Sequence, residues 1–169
     1  MIQPTTISEA LLSRWMKDTV RVALRGVADG ENPFAASVYR PDGSRLALAS
    51  NQVNSTHNPS AHAEICAIEH ACRATGEPEL RGCWLVSTAE PCPMCLSAAV
   101  NAGIRNIAFG AGQAVVAEAG YGSFGISGRQ LAKQMSADIQ LRGPILGNDC
   151  VSLLLRHRNP MRPLTAGPH

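Results

Sequence analysis

No apolar run in this 169-residue chain approaches the ~18 consecutive residues that a membrane-spanning helix needs. The first ten residues lack the basic start and apolar centre of a secretory signal peptide. Charge of one sign is scarce too: 15 basic and 13 acidic side chains leave a formal net charge of +2, which does not by itself point to nucleic acid. One basic cluster stands out, Arg156-His157-Arg158 with Arg162 close behind. It reads first as a solvated helix end, where the dipole favours cations, and second as a phosphate-contacting patch. Internal repeats, linkers and composition breaks are missing, so a second domain is not expected. The six cysteines include only one pair in metal-ligand spacing, which suits a reducing compartment better than a disulfide framework. The chain is therefore expected in the cytoplasm, off the membrane. Its 45% hydrophobic content supports one domain, 1–169, with a proper core.

What is present is concentrated in two short stretches, His62-Ala63-Glu64 and Pro91-Cys92-Pro93-Met94-Cys95. Together they offer one imidazole, two thiolates and one spare carboxylate. Three protein ligands on a tetrahedral zinc leave a fourth position for water or hydroxide. The metal lowers that water's pKa to about 7, and a carboxylate beside the ligand set can then move protons without occupying the metal. This H-x-E…P-C-x-x-C pattern is that of zinc-dependent hydrolytic deaminases of nucleobases. One Zn2+ per chain is expected, held by His62, Cys92 and Cys95, with Glu64 as the proton carrier.

The spacing has local consequences. Cys92 and Cys95 at i and i+3 share a helix face, Pro91 suits a helix start, and Gly103 suits its end. His62 and Glu64 at i and i+2 would diverge in mid-helix, so they must sit at a helix N-terminus, which Asn58-Pro59-Ser60 announces. Two helix starts are thus expected to converge on one metal. The competing reading is a closed structural site with Cys66 as fourth ligand, His57 and His70 also being within range in sequence. Neither a second C-x-x-C nor an H-x₃₋₅-H pair supports it. Cys66, Cys72, Cys83 and Cys150 read instead as small buried apolar residues.

Along the chain, Ser8 caps an amphipathic helix bearing Leu11, Leu12, Trp15, Met16, Val20, Ala23 and Leu24, closed by Gly30. Residues 34–40 and 45–50 flank the turn Pro41-Asp42-Gly43-Ser44 as a hairpin. A loop from Asn51 leads to a helix over 61–74, then a strand over 83–88 and the Cys92 helix. A strand over 104–110 and a helix over 113–119 come next. The glycine-rich run 120–128 reads as a mobile loop. A weak strand over 137–141 and a closing helix over about 148–158 complete the core, about 8–158. Pro160 and Pro163 argue against helix in the tail, 159–169. A hairpin followed by strand–helix alternation gives an α/β fold, three layers α/β/α around a mixed sheet of about five strands.

With these residues in view, the chain resembles the cytidine/deoxycytidylate deaminase-like superfamily, and within it the branch of bacterial guanine deaminases and tRNA adenosine deaminases. The resemblance covers most of residues 8–158. It rests on Pro33-Phe34-Ala35-Ala36, Asn51, Pro59-Ser60-Ala61-His62-Ala63-Glu64, Thr88-Ala89-Glu90-Pro91-Cys92-Pro93-Met94-Cys95 and Ala117-Glu118-Ala119-Gly120-Tyr121. It implies a cytidine deaminase-like fold and zinc on His62, Cys92 and Cys95. It also implies Glu64 as catalytic residue, with Glu118 beside it near the base. Asn51, Phe34, Ala63, Tyr121 and Phe124 would then contact substrate, Asn51 through an amide able to read an amidine or lactam edge. Three of these have a plainer reading: Asn51 as a turn residue, Phe34 as core, Glu118 as a solvated helix glutamate.

The implied substrate is a small amino-heterocycle, foremost a nucleobase of the guanine type, and the implied assembly is a homodimer. Adenosine-to-inosine editing of tRNA, deamination of cytosine or cytidine, and a scaffold with structural zinc are the alternatives. Val115 stands where short bacterial guanine deaminases can carry an aspartate, and the segment from Met161 to His169 matches no tail of that branch.

Overall fold

The computed structural model of the chain describes residues 7–159. Helix α1 (Glu9–Ala28) starts where expected, because the Ser8 hydroxyl accepts from the Leu11 amide. It ends at Ala28, two residues before Gly30, whose φ of +89° favours glycine. Its Leu12, Trp15, Met16, Thr19 and Ala23 are buried at helical spacing, so one face packs on the sheet. Trp15 stacks on Tyr39 of the sheet with ring centroids 4.1 Å apart.

The hairpin β1 (Ala35–Tyr39) and β2 (Arg45–Ser50) follows. A short helix α2 (Val53–Thr56), not legible in the sequence, precedes α3 (Ala63–Thr75). Next come β3 (Trp84–Ala89), α4 (Pro93–Asn101), β4 (Asn106–Ala111) and α5 (Gln113–Glu118). A further helix α6 (Gly128–Gln134), then β5 (Gln140–Arg142) and α7 (Gly147–Arg156), complete the order.

The five strands form one sheet in the order β2-β1-β3-β4-β5. β1 runs antiparallel to β2 and β3, whereas β3–β4 and β4–β5 are parallel. The sheet is therefore mixed, as the strand–helix alternation implies. Strand residues alternate between two cores. Val38, Leu85 and Ile107 face the layer of α3 and α4. Tyr39, Trp84, Val86 and Ala108 face the layer of α1 and α7. Full burial of side chains such as Leu85 and Ile107 contributes roughly 1.5–3 kcal/mol each. Helix α7 lies so close to β4 that a Cβ at Gly110 would stand 2.1 Å from the Cys150 sulfur, which is why glycine occupies that strand position.

Three expectations need correction. Helix α4 begins at Pro93, not Pro91, and Cys92 is its extended N-cap with ψ 167°. The physical reason is Pro93, which takes the first helical position and pushes the residue before it out of the α region. The loop expected over 120–128 gives way at Ser127 to α6, held by a reciprocal capping box between Ser127 and Gln130. Strand β5 is shorter and later than expected. The tail from Pro160 onward lies outside the described residues.

The topology collects one set of strand ends. Ala36 pairs with Ser87 across the antiparallel β1–β3 ladder, and Ala89 pairs with Ala111 across the parallel β3–β4 ladder. Phe34, Asn51, Glu90 and Gly112 therefore emerge at the same edge, outside the carboxyl ends of β3 and β4. Open α/β sheets bind ligands at such an edge.

Candidate active site

His62 and Cys92 are the N-caps of α3 and α4, both extended, so two helix starts do converge, as the motif spacing requires. Cys95 sits one turn into α4. Nδ1 of His62 lies 3.7 Å from the Cys92 sulfur and 3.5 Å from the Cys95 sulfur. A tetrahedral zinc with Zn–N of ~2.0–2.1 Å and Zn–S of ~2.3 Å has N···S edges of about 3.6 Å. The donor set fits that ion. Among the described residues these three alone form a cluster with all donor atoms within 4.8 Å of one another. Cys66 is not part of it: its sulfur turns to the Ala61 carbonyl at 3.7 Å, and His57 and His70 are exposed.

The electrostatics of the trio favour a cation. The Cys92 thiol is pulled down to about 4, chiefly by the hydrogen bond from Cys95 and, against burial, by His62. The same Cys92 charge, with burial, pushes the Cys95 thiol up. His62 is raised by its bond to Cys92, against desolvation. A divalent ion removes the conflict, since it stabilises both thiolates at once.

Glu64, in the first turn of α3, is only 6% exposed. Its Oε1 accepts from the Ser87 hydroxyl at 3.1 Å, and its Oε2 accepts from the Cys95 thiol at 3.5 Å. Burial raises its pKa first, and the Cys92 charge second. A carboxyl whose pKa is raised in this way holds a proton more readily, which suits a group that must both take and return protons.

Glu64, His62 and Cys92 open onto a cavity of about 100 Å³. This is several times the ~10–15 Å³ that a cavity needs to hold a single water, so it has room for a small molecule. Phe34, Asn51, Tyr121 and Phe124 are among the residues that line it. Phe34 and Tyr121 meet edge to face, centroids 4.9 Å apart. The Asn51 Oδ1 accepts from the Val53 amide at 3.1 Å, which leaves its NH₂ as the end offered to the cavity. Phe124 is 61% exposed at the mouth. Ala63 is buried between His62 and Glu64 and is not among the lining residues.

Glu118 takes a different place. It is exposed and outside the lining; its Oε1 accepts from Arg158 Nη2 at 3.1 Å and its carbonyl from Nη1 at 3.2 Å. The Tyr121 hydroxyl donates to the His157 carbonyl, and the Asn159 amide to Ala119. The basic cluster is thus partly engaged in lacing the end of α7 to the turn that carries Tyr121. Val115 is also outside the lining, and Val116 supplies the apolar wall.

Three side chains were not singled out from the sequence. Ser87 anchors Glu64, and a Ser-Thr pair inside an apolar strand was its signal. Glu90, buried, accepts from the Gln113 amide at 3.3 Å and the Arg129 amide at 2.9 Å, tying the starts of α5 and α6 to the motif. Gln113 lines the cavity, and its buried Oε1 has no partner among the described residues. Such an unpaired acceptor costs about 1–3 kcal/mol.

Comparison with known proteins agrees with this geometry. Residues 10–111 match the family model of the cytidine and deoxycytidylate deaminase zinc-binding region. The chain is 38% identical to guanine deaminase of Bacillus subtilis (strain 168), over 63% of its own length and 69% of that protein's. It is also 38% identical to tRNA-specific adenosine deaminase of Aquifex aeolicus (strain VF5), over 57% of its own length and 64% of that protein's. A solved structure of a mutant of the protein NE0047 in complex with 8-azaguanine superposes with a TM-score of 0.81 at 25% identity, covering 87% of this chain and 84% of that one. With three metal donors at zinc spacing, a spare buried carboxylate and a family match over more than half its length, the chain belongs to the cytidine and deoxycytidylate deaminase family and is a zinc-type deaminase, a hydrolase of C–N bonds.

Proposed function

We propose that the chain hydrolyses the exocyclic amine of a small amino-heterocycle, foremost a free base of the guanine type. The observation that carries the reading is Glu64, a buried carboxylate that is spare to the metal trio and opens onto a cavity with room for a small molecule. His62, Cys92 and Cys95 would hold one zinc per chain, which would supply Lewis-acid activation of the attacking water. Glu64 accepts the water's proton as the new C–O bond forms at the amine-bearing carbon. It delivers that proton to the adjacent ring nitrogen, then takes the second proton from the newly added hydroxyl and gives it to the departing amine, so the ring carbonyl forms, the C–N bond breaks and ammonia leaves. Water and amine go in; ammonia and a ring carbonyl come out. Ser87 holds the carboxylate between these transfers.

Phe34 and Tyr121 give the ring an apolar face, and the Asn51 NH₂ donates to an acceptor on its edge. Phe124 covers the mouth. Glu118 acts indirectly, by fixing Arg158 against the Tyr121 turn. The likeness to guanine deaminase and to a protein that binds 8-azaguanine supports a purine of this kind.

The test is ammonia release from guanine, guanosine, adenine, cytosine, cytidine and a tRNA anticodon stem. Turnover of guanine or a related free base, nearly independent of salt, is expected. Turnover of the tRNA stem alone, falling steeply with salt as phosphate-dominated binding does, would replace this reading with tRNA editing.

A further inference from the structure

We propose that residues 122–126 form a flap, hinged at two glycines, that closes over the bound base with the Phe124 ring as its contact. This inference rests on the deaminase reading above and adds the motion that encloses the substrate.

Among the described residues, two large apolar side chains stand exposed, Leu24 at 48% and Phe124 at 61%. Leu24 is on α1 and is not a lining residue, whereas Phe124 belongs to the cavity that Glu64, His62 and Cys92 share. Phe34, Val116 and Tyr121 give that cavity an apolar wall. An aromatic ring standing in water beside such a wall gains by moving onto a flat ligand, because ring and ligand then both lose wetted apolar surface.

The chain around Phe124 is fixed at both ends and free between them. Before it, the Tyr121 hydroxyl donates to the His157 carbonyl, and the Ala119 carbonyl accepts from the Asn159 amide. After it, Ser127 and Gln130 close their capping box, and the Arg129 amide donates to Glu90. Among the described residues, the one hydrogen bond that residues 122–126 make is internal, from the Gly125 amide to Ser123 Oγ at 3.1 Å. Gly122 and Gly125 bracket the ring with φ of +88° and +72°, backbone space that other residues rarely enter. A Cβ at Gly125 would meet nothing within 4 Å, so that hinge turns in open space. A short segment without outside bonds, held between two anchors, opens and closes at little cost. Closure puts an apolar ring between the base and bulk solvent, which strengthens the polar contacts inside.

The experiment places a tryptophan at the flap tip. Phe124→Trp is made in the full-length, zinc-loaded Glu64→Gln chain, in which turnover is not expected, and 8-azaguanine is the probe. Trp15 and Trp84 are buried, so the new indole is the one open to acrylamide. Binding of 8-azaguanine should reduce acrylamide quenching. The rate of that change should level off as ligand concentration rises, because closure is a unimolecular step. Phe124→Ala in the otherwise native chain should raise KM for guanine roughly tenfold, the loss of one ring's burial, with zinc content and Tm held.

Unchanged quenching while equilibrium dialysis shows 8-azaguanine bound overturns the flap, as does a rate linear in ligand throughout. A KM within about twofold of wild type overturns it as well, and loss of zinc and Tm in Phe124→Ala would make the ring structural instead. An indole already shielded before ligand is added, in proportion to protein concentration, would show that a second copy covers Phe124 and would also overturn it. A chain that neither binds 8-azaguanine nor deaminates guanine overturns the guanine-type reading itself, and the flap with it.

Discussion

The Ser87 hydroxyl donates to Oε1 of Glu64 across 3.1 Å, linking the central strand β3 to the first turn of α3. This bond favours the charged carboxylate and so opposes the upward push of burial. Ser87→Ala removes it, and the Glu64 pKa rises further. Glu64 must be ionised to accept water's proton, so the acidic limb of the kcat/KM profile should move to higher pH with zinc content unchanged. A pH–rate profile of the two proteins checks this; an unmoved limb would mean that Ser87 has no hold on the titrating group.

Zinc content should separate the cysteines. Cys92→Ala and Cys95→Ala are expected to strip the metal, whereas Cys66→Ala should keep about one ion per chain, because its sulfur faces the Ala61 carbonyl. After chelation, Cys92 should alkylate first at neutral pH, since a thiol pulled down to about 4 is ionised there, while Cys150, pushed up to about 12 by burial, stays protonated. Metal analysis and peptide mapping read both outcomes. Equal zinc loss in the Cys66 variant would revive a closed structural site.

Glu90→Gln keeps one acceptor oxygen where two are used, so either the Gln113 or the Arg129 amide loses its partner. Stability should fall by about 1–3 kcal/mol, the cost of a buried unpaired group. Because the cavity wall hangs from these two amides, KM should rise more than kcat falls. Faster hydrogen exchange over residues 112–129 would show the loosening directly; unchanged exchange would show that the segment is held by other contacts.

Much of this was legible in residue order. Ser8 and Gly30 bounded α1, the turn at 41–44 marked the hairpin, and His62, Glu64, Cys92 and Cys95 announced the metal trio and its spare carboxylate. What escaped falls into two kinds. The capping box of Ser127 and Gln130 was present but hidden in a glycine-rich run, where turn signals outweighed it. The partnerships of Ser87 with Glu64 and of Glu90 with Gln113 and Arg129 are tertiary, set by strand register and by the close approach of α6 to the motif. At Gly128 a Cβ would meet the Pro91 carbonyl at 2.4 Å, so even that approach depends on a residue whose reason appears only in three dimensions. Glu118 shows the reverse limit: a motif match placed it near the base, and the folded chain pairs it with Arg158 instead.

The most direct measurement compares wild type with Glu64→Gln, each at one zinc per chain, for ammonia and xanthine formed from guanine. The amide cannot accept water's proton, and one group serves several transfers, so the loss should reach or exceed the upper end of the ~10²–10⁴-fold range for general acid–base catalysis. The account requires equal ammonia and xanthine from wild type and almost none from the variant. Variant activity above about a tenth of wild type, on the scale of that range, would show that another group carries the protons and would contradict it.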